Sequence, residues 1–92
     1  AKNYDAGLAG IKAKGFSTPF IHSHNESVWA QYTLTVEDRP TFQKKLQEAG
    51  VPTSVHYPRI MPDQPWYKAN ANKSIGDLNI ARWAAEHVVS IP

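Results

Sequence analysis

The sequence predicts one small α+β domain in which helices pack against a three-stranded, antiparallel-type sheet. Three observations predict this class. Apolar residues recur at helical spacing in several segments, they alternate with polar residues in others, and a short turn joins the first two strands, as in an antiparallel pair. At 92 residues the chain has the length of a single domain.

A helix is predicted at the start of the chain. Tyr4, Leu8 and Ile11 recur at spacings of four and three, which makes a helical stripe over residues 2–12. Gly15 follows at the position expected of a helix stop. Two glycines within the stripe weaken it as an isolated helix, so we expect the tail of a longer helix that begins upstream.

Two strands are predicted next, over residues 18–24 and 28–37, with a turn between them. The second has the clearest strand pattern in the chain because apolar and polar residues alternate along it. The apolar face carries Val28, Ala30, Tyr32, Leu34 and Val36.

A second helix and a third strand are predicted after this pair. Asp38 can cap a helix over residues 39–49, Pro40 is tolerated in its first turn, and Gly50 can end it. The third strand is expected over residues 51–57, where apolar and polar residues alternate again.

The last third of the chain is predicted to be a proline-rich loop and a final helix. The loop covers residues 58–72, with one helical turn near Trp66, and Ser74 or Asp77 can cap a helix over residues 78–89. That helix is apolar around most of its circumference, and such a helix usually packs against two partners. We therefore expect a partner outside this sequence, and we interpret both ends of the chain as cut.

Composition excludes several classes of protein. The net charge of +2 and the scattered basic residues do not fit a nucleic-acid-binding domain. The absence of cysteine excludes a disulfide scaffold and a thiolate zinc site, and it fits a reducing compartment. Because no apolar run approaches the ~20 residues of a membrane helix, no membrane partner is expected.

The densest group of chemically useful residues is His56-Tyr57-Pro58-Arg59, at the end of the third predicted strand. Pro58 breaks the strand, so both side chains before it can converge on one ligand. An imidazole, a phenol and a guanidinium together suit a carboxylate or a phosphate. The alternative is that Tyr57 belongs to the core while His56 and Arg59 are ordinary surface residues.

Other candidate groups carry weaker signals. His22 and His24 share a strand face, but the segment offers no third protein ligand of the kind that a catalytic zinc ion needs, so no metal is expected. Aromatic residues such as Trp29 and Trp83 lack an accompanying basic stripe, which favours packing over base stacking. No Gly-x-Ser-x-Gly elbow and no glycine-rich phosphate loop is present.

Several segments together resemble one family. They are YDAGLAGI, SVWAQYTLTV, LQEAGVPTSVHYP, QPWY and ARWAAEHVVSIP. Their order is similar to the C-terminal small domain of the pyridoxal-phosphate-dependent sugar aminotransferases of the DegT/DnrJ/EryC1/StrS family. The strand SVWAQYTL resembles the branch that acts on UDP-linked 2-acetamido-3-keto-hexuronic acids, which makes 3-amino sugars for bacterial surface polysaccharide.

This resemblance implies that residues 1–92 are one domain of a larger enzyme, with residues 1–14 as the tail of an interdomain helix. The parent enzyme would hold pyridoxal phosphate on a lysine of a large N-terminal domain and transfer an amino group from glutamate to a keto-sugar nucleotide. The serine-rich motif that surrounds this lysine in the family is absent from the sequence. The chain alone is thus expected to bind no cofactor and to be inactive.

The resemblance also implies a role for individual residues. His56 and Tyr57 match the small-domain pair that faces the sugar, whereas Arg59 lies where the sequence departs from the usual Ile-Pro-Leu-His continuation. The resemblance further implies a homodimer in the cytoplasm that serves lipopolysaccharide and O-antigen synthesis. The competing hypothesis is a free-standing α+β ligand-binding or regulatory module, because this layout hosts many functions.

Overall fold

A computed structural model describes residues 1–11, 15–70 and 76–92 of the chain. It confirms the predicted α+β class and the three-stranded antiparallel sheet. In chain order the elements are α1 (Lys2–Ala9), β1 (Phe16–Ser17), β2 (Tyr32–Val36), α2 (Arg39–Glu48), a 3-10 helix (Met61–Asp63), α3 (Pro65–Asn70), α4 (Asn79–His87) and β3 (Val88–Ile91).

Strand β2 lies in the middle of the sheet, with β1 and β3 antiparallel on either side. Its register with β3 pairs Tyr32 with Ile91 and Thr35 with Val88. Outside the named strands, Ser54 makes an isolated bridge to Ser90, with N–H···O distances of 3.0 and 2.8 Å in the two directions. The sheet therefore brings the last residues of the chain against its middle.

The third strand is not the predicted one. Within residues 51–57 only Ser54 pairs with the sheet, and the true third strand is Val88–Ile91. Pro52 has no N–H to donate to a ladder, whereas β-branched residues dominate the end of the chain. The helix ends at His87 because Val88 is extended, at φ −79° and ψ 142°. A short apolar run next to a helix is ambiguous from periodicity alone, which explains the error.

The first predicted strand is not formed, and the second is shorter in the structure than the sequence indicated. Residues 18–24 do not pair, and β1 contains only the two residues before them. Strand β2 begins at Tyr32 rather than at Val28. Trp29 adopts a φ of +52°, in the left-handed region, and a strand cannot continue regularly through that conformation. Residues 18–31 consequently form a loop.

The predicted signals at the ends of α2 are confirmed. The Asp38 carboxylate accepts hydrogen bonds from the Thr41 N–H at 3.1 Å and the Thr41 hydroxyl at 2.7 Å. These bonds lower the pKa of Asp38. Pro40 lies in the first turn, and Gly50 beyond the helix end has a φ of +76°, which glycine adopts without strain.

The remaining helices differ from the prediction at their ends. Helix α1 ends at Ala9 with Gly10 as its cap, so it is shorter than the predicted segment. Helix α3 confirms the helical turn expected near Trp66. At the start of α4 the Asp77 carboxylate accepts from the Asn79 N–H at 2.9 Å. The cap position itself is occupied by Leu78, and Ser74, the other predicted cap, lies outside the described residues.

The core lies between the inward face of β2 and the end of the chain. Its buried cluster consists of Tyr32, Leu34, Val36 and Val89. Half-buried apolar residues from α1, β1, α2 and β3 surround this cluster. The alternation in β2 thus predicts the core correctly from Tyr32 onwards.

One polar contact ties α1 to this core. The Tyr32 hydroxyl donates to the Asp5 carboxylate, and the Tyr4 ring lies 5.0 Å from the Tyr32 ring. Burial, followed by the hydrogen bond to Asp5 and its negative charge, raises the pKa of Tyr32 to about 12. The neutral phenol is therefore the form that the fold stabilises.

The chain exposes much surface for its size. Its accessible area is 7372 Å², about 2,000 Å² more than a monomeric protein of 10.3 kDa usually exposes. Its radius of gyration is 15.7 Å, against about 12 Å for a compact domain of this length. Several large apolar side chains are exposed, among them Val28 at 94%, Ile80 at 85% and Trp66 at 72%. In the described part of the chain, no helix is both long and apolar enough to cross a membrane.

Candidate functional site

The predicted site residues His56 and Tyr57 lie where the chain leaves the edge of the sheet, two and three residues after the Ser54 bridge. Both are exposed, and Tyr57 has 74% of its surface accessible. Their rings meet edge to face, with centroids 5.7 Å apart and planes at 85°. The exposure of Tyr57 excludes the interpretation of this residue as part of the core, and it leaves the phenol free to meet a ligand.

The segment that follows is closed on itself by short-range hydrogen bonds. The Asp63 N–H donates to the Ile60 carbonyl at 3.0 Å, and the Gln64 N–H donates to the Met61 carbonyl at 3.1 Å. The Gln64 side-chain amide also donates to the Arg59 carbonyl at 3.3 Å. Pro58 starts this segment and has no N–H to donate to a strand.

Arg59, the third predicted site residue, faces a different neighbourhood from the His56–Tyr57 pair. It lines an open cleft of about 750 Å³ between the proline-rich segment and α4. The charged residues of this cleft are Arg59, Asp63, Lys68, Arg82 and Glu86. The structure therefore groups Arg59 with two further cations rather than with His56 and Tyr57.

An ion pair forms one wall of this cleft. Arg82 Nε lies 2.9 Å from one oxygen of Asp63, and an Arg82 terminal nitrogen lies 3.1 Å from the other. The hydrogen bonds from Arg82 lower the pKa of Asp63, and the same contacts raise the pKa of Arg82. Sequence reasoning did not find this pair, because nineteen positions separate the partners and no spacing rule connects a loop to a later helix.

The structure also describes the two groups with weaker sequence signals, the His22–His24 pair and the aromatic residues. His22 and His24 stack with centroids 5.4 Å apart on the exposed loop 18–31. Among the described residues, no group of three or more His, Cys, Asp or Glu side chains is placed to hold a metal ion. Trp29 stacks on the core residue Tyr32 at 5.3 Å, which agrees with its expected packing role.

The lysines of the described chain do not fit a residue that carries pyridoxal phosphate. A lysine that forms a Schiff base is usually desolvated or placed beside another cation, since its amine must be neutral to react. Lys2, Lys44, Lys45 and Lys68 are all exposed. Lys12, Lys14 and Lys73 lie outside the described residues.

Comparison with known proteins finds a family match along the whole chain. Residues 1–92 match the DegT/DnrJ/EryC1/StrS aminotransferase family. The sequence is 42% identical over 93 residues to the UDP-2-acetamido-2-deoxy-3-oxo-D-glucuronate aminotransferase of Pseudomonas aeruginosa. It is 32% identical to the dTDP-3-amino-3,4,6-trideoxy-alpha-D-glucose transaminase of Streptomyces venezuelae, and equally to the erythromycin biosynthesis sensory transduction protein EryC1 of Saccharopolyspora erythraea.

Each of these alignments covers 100% of the chain but only 24% of the relative, so the chain spans about a quarter of their length. Solved structures give the same proportions. The S. venezuelae protein DesV, in complex with a ketimine intermediate, superposes with a TM-score of 0.85 at 31% identity and covers 99% of this chain and 24% of its own. The sugar aminotransferase CalS13 of Micromonospora echinospora superposes at 0.77 with 32% identity and covers 100% of this chain and 23% of its own.

Proposed function

Because the chain belongs to the DegT/DnrJ/EryC1/StrS aminotransferase family, we propose that it is the C-terminal small domain of a pyridoxal-phosphate-dependent nucleotide-sugar aminotransferase. The whole enzyme transfers the amino group of glutamate to a keto-sugar nucleotide. The observation that carries this proposal is the match over all of residues 1–92, which spans only a quarter of each relative. The identity of 42% to a 3-oxo-glucuronate aminotransferase favours a uronate substrate. Cytoplasmic chemistry and a role in lipopolysaccharide or O-antigen synthesis belong to the proposal as expectations from the family.

His56 and Tyr57 form the sugar-facing edge in this proposal, and Arg59 contributes a nearby positive charge. The exposed edge-to-face pair supports this role, since neither ring is used in the core. An imidazole and a phenol can both donate hydrogen bonds to a carboxylate, and the Arg59 guanidinium can add positive charge from the adjoining cleft. This chemistry suits the acidic group of a uronate.

The surplus surface supports two partners, namely the large domain of the same chain and a second subunit. The excess of about 2,000 Å² is more than twice the ~800 Å² that one protein contributes to a standard interface, so it is large enough for two interfaces. Ile80 and Trp83 on α4 are exposed by 85% and 52%, so the helix presents apolar side chains away from the sheet. We propose that these side chains are covered in the homodimeric enzyme.

The large domain, in this proposal, carries the pyridoxal phosphate and its lysine. The exposure of the described lysines supports this division, because a lysine that forms a Schiff base is usually desolvated or placed beside another cation. When bound, the cofactor supplies the electron sink that amino transfer needs. The 92-residue chain is expected to be inactive alone.

The first test uses the full-length enzyme with His56→Ala and with Tyr57→Phe. Each variant should slow the keto-sugar half-reaction by about tenfold, the scale of one lost charge-assisted hydrogen bond, and should leave the glutamate half-reaction within about twofold of wild type. The two half-reactions are followed separately by the cofactor absorbance in single-turnover experiments. Equal losses in both would assign the pair a structural role.

A second test concerns the cofactor. The 92-residue chain is mixed with pyridoxal phosphate and dialysed, and its visible absorbance is compared with that of the full-length enzyme. No protein-specific band should remain on the chain. A stable band that disappears on substitution of a single lysine would overturn the proposal.

The alternative function is a free-standing ligand-binding or regulatory module. One observation favours it: a relative with 32% identity carries the name of a sensory transduction protein. Under this alternative the chain alone should bind a UDP-linked hexuronic acid as tightly as the full-length protein does. Isothermal titration of both proteins with the same UDP-hexuronate distinguishes the two functions.

A further inference from the structure

The Asp63–Arg82 ion pair joins the proline-rich segment to α4. We infer that this pair is a positioning element: it fastens the segment 58–70 to α4 and so holds Arg59, with the neighbouring His56 and Tyr57, in the orientation that the substrate meets. The predicted effect on substrate binding rests on the proposed function. The anchoring of segment 58–70 to α4 does not depend on that function.

The geometry of the Asp63–Arg82 pair suits a contact that holds two segments in a fixed relative orientation, which we call the brace. Both carboxylate oxygens of Asp63 are engaged by Arg82, at 2.9 and 3.1 Å, through two different guanidinium nitrogens. A bidentate contact of this kind fixes orientation as well as distance, because the guanidinium is planar and its donors form a rigid fork. A single point contact would leave the segment free to rotate about it.

Among the described residues, no other hydrogen bond links this segment to another element. Its other hydrogen bonds are local and join residues between Arg59 and Asn70 to one another. Across residues 1–11, 15–70 and 76–92, Arg82 therefore provides the one hydrogen-bonded link from this segment to α4. Loss of the pair should free the segment without unfolding the sheet.

Helix α4 is a firm anchor for such a brace. Ala85 on this helix is buried, and Arg39 at the start of α2 donates to the carbonyls of Ala85 and Val88. The helix also continues without a break into β3, which pairs with the central strand. A segment tied to α4 is therefore tied to the core.

The consequence for function is a change in substrate binding rather than in cofactor chemistry. Arg59 lines the same cleft as the pair, and only Pro58 separates it from Tyr57. A segment that samples several positions presents these donors in the binding orientation for a smaller fraction of the time. The apparent affinity for the keto-sugar falls in proportion to that fraction.

The experiment uses the full-length enzyme with Asp63→Asn, Arg82→Gln and the exchanged pair D63R/R82D. Each single variant should raise the KM for the keto-sugar about three- to fivefold, the scale of one exposed bidentate pair, while the glutamate half-reaction stays within about twofold of wild type. The exchanged pair should recover most of the loss. Glu86→Gln is the matched control, because it removes a charge from the same cleft but leaves the brace intact.

Hydrogen–deuterium exchange separates this inference from the proposed function. Amides of residues 59–64 should exchange several-fold faster in both single variants, and at the wild-type rate in the exchanged pair and in Glu86→Gln. Unchanged exchange in the single variants would overturn the brace. Faster exchange with an unchanged KM would show that the pair anchors the segment but would refute its positioning role. If His56→Ala also left the keto-sugar half-reaction unchanged, the proposed sugar-facing edge would be refuted as well.

Discussion

The central strand of the sheet and the edge that carries His56 and Tyr57 differ in almost every physical property. On the central strand Leu34 is 1% exposed, and its neighbour Val89 on β3 is fully buried. At the edge Tyr57 is 74% exposed and Met61 is 72% exposed. The first region is built of β-branched and aliphatic side chains in a ladder, and the second of prolines, rings and charges held by local bonds.

This contrast indicates where the folding free energy resides and where a ligand can bind. Burial of apolar surface stabilises the sheet, because each large side chain removed from water contributes about 1.5–3 kcal/mol. The edge contributes little burial, and its polar groups remain available. Substitutions should therefore divide cleanly into those that unfold the sheet and those that change only recognition.

The largest expected effect is that of Leu34→Ala. Removing this fully buried side chain from the sheet should lower the free energy of unfolding by about 2–5 kcal/mol, since the cavity cannot fill from a core of so few residues. Urea unfolding of the chain measures it. Val28→Ala is the control: its side chain is 94% exposed, and the expected change is below about 0.5 kcal/mol. Equal effects would show that the strand pattern does not define the core.

A smaller effect is expected from Arg39→Met, which tests whether hydrogen bonds from Arg39, in addition to apolar packing, hold α4 against the rest of the domain. Arg39 Nη1 donates to the Ala85 and Val88 carbonyls, which lie where α4 passes into β3. Loss of these charged hydrogen bonds should lower the free energy of unfolding by about 1.5–3 kcal/mol. Lys44→Met on the exposed face of the same helix should change it by less than about 0.5 kcal/mol. A loss in Arg39→Met no larger than this control would assign the anchor to packing alone.

The sequence predicts the parts of the fold that local chemistry determines. Two such features depend on only a few neighbouring residues, and the structure confirms both. They are the alternation of Tyr32, Leu34 and Val36 and the helix cap at Asp38. The third strand is not readable in this way. Val88 continues a helical stripe in the sequence. In the structure Val88 pairs with Thr35 and Val89 pairs with Leu34, more than fifty positions earlier, and this pairing makes the segment a strand.

The candidate site divides along the same line. Adjacent residues such as His56 and Tyr57 are visible as a group in the sequence, although their substrate role remains a prediction. The contacts that place them are not visible. The Asp63–Arg82 pair and the cleft shared by Arg59 and Lys68 arise when two distant segments pack together, so periodicity and spacing carry no signal for them.

A moderate, pH-dependent effect is expected from Tyr32→Phe. Loss of the hydrogen bond to Asp5 should lower the free energy of unfolding by about 1 kcal/mol near neutral pH. The pKa of Tyr32 is raised from 10.0 to about 12, so its contribution is complete below pH 10 and is lost as the pH rises through 12. Urea unfolding between pH 9 and 12 should therefore show a steeper decline for the wild type than for Tyr32→Phe. Parallel curves would contradict the buried, neutral phenol.

The smallest expected effects on stability are those of His56→Ala and Tyr57→Ala, and they bear most directly on the contrast between the two regions. Both side chains are exposed, and their main contact is with each other, so each substitution should change the free energy of unfolding by less than about 0.5 kcal/mol. The measurement is the same urea titration that is used for Leu34→Ala. A loss above about 1 kcal/mol would mean that the edge supports the fold. A contribution to stability would then be enough to explain why His56 and Tyr57 occupy this edge, and substrate recognition would no longer be needed to explain it.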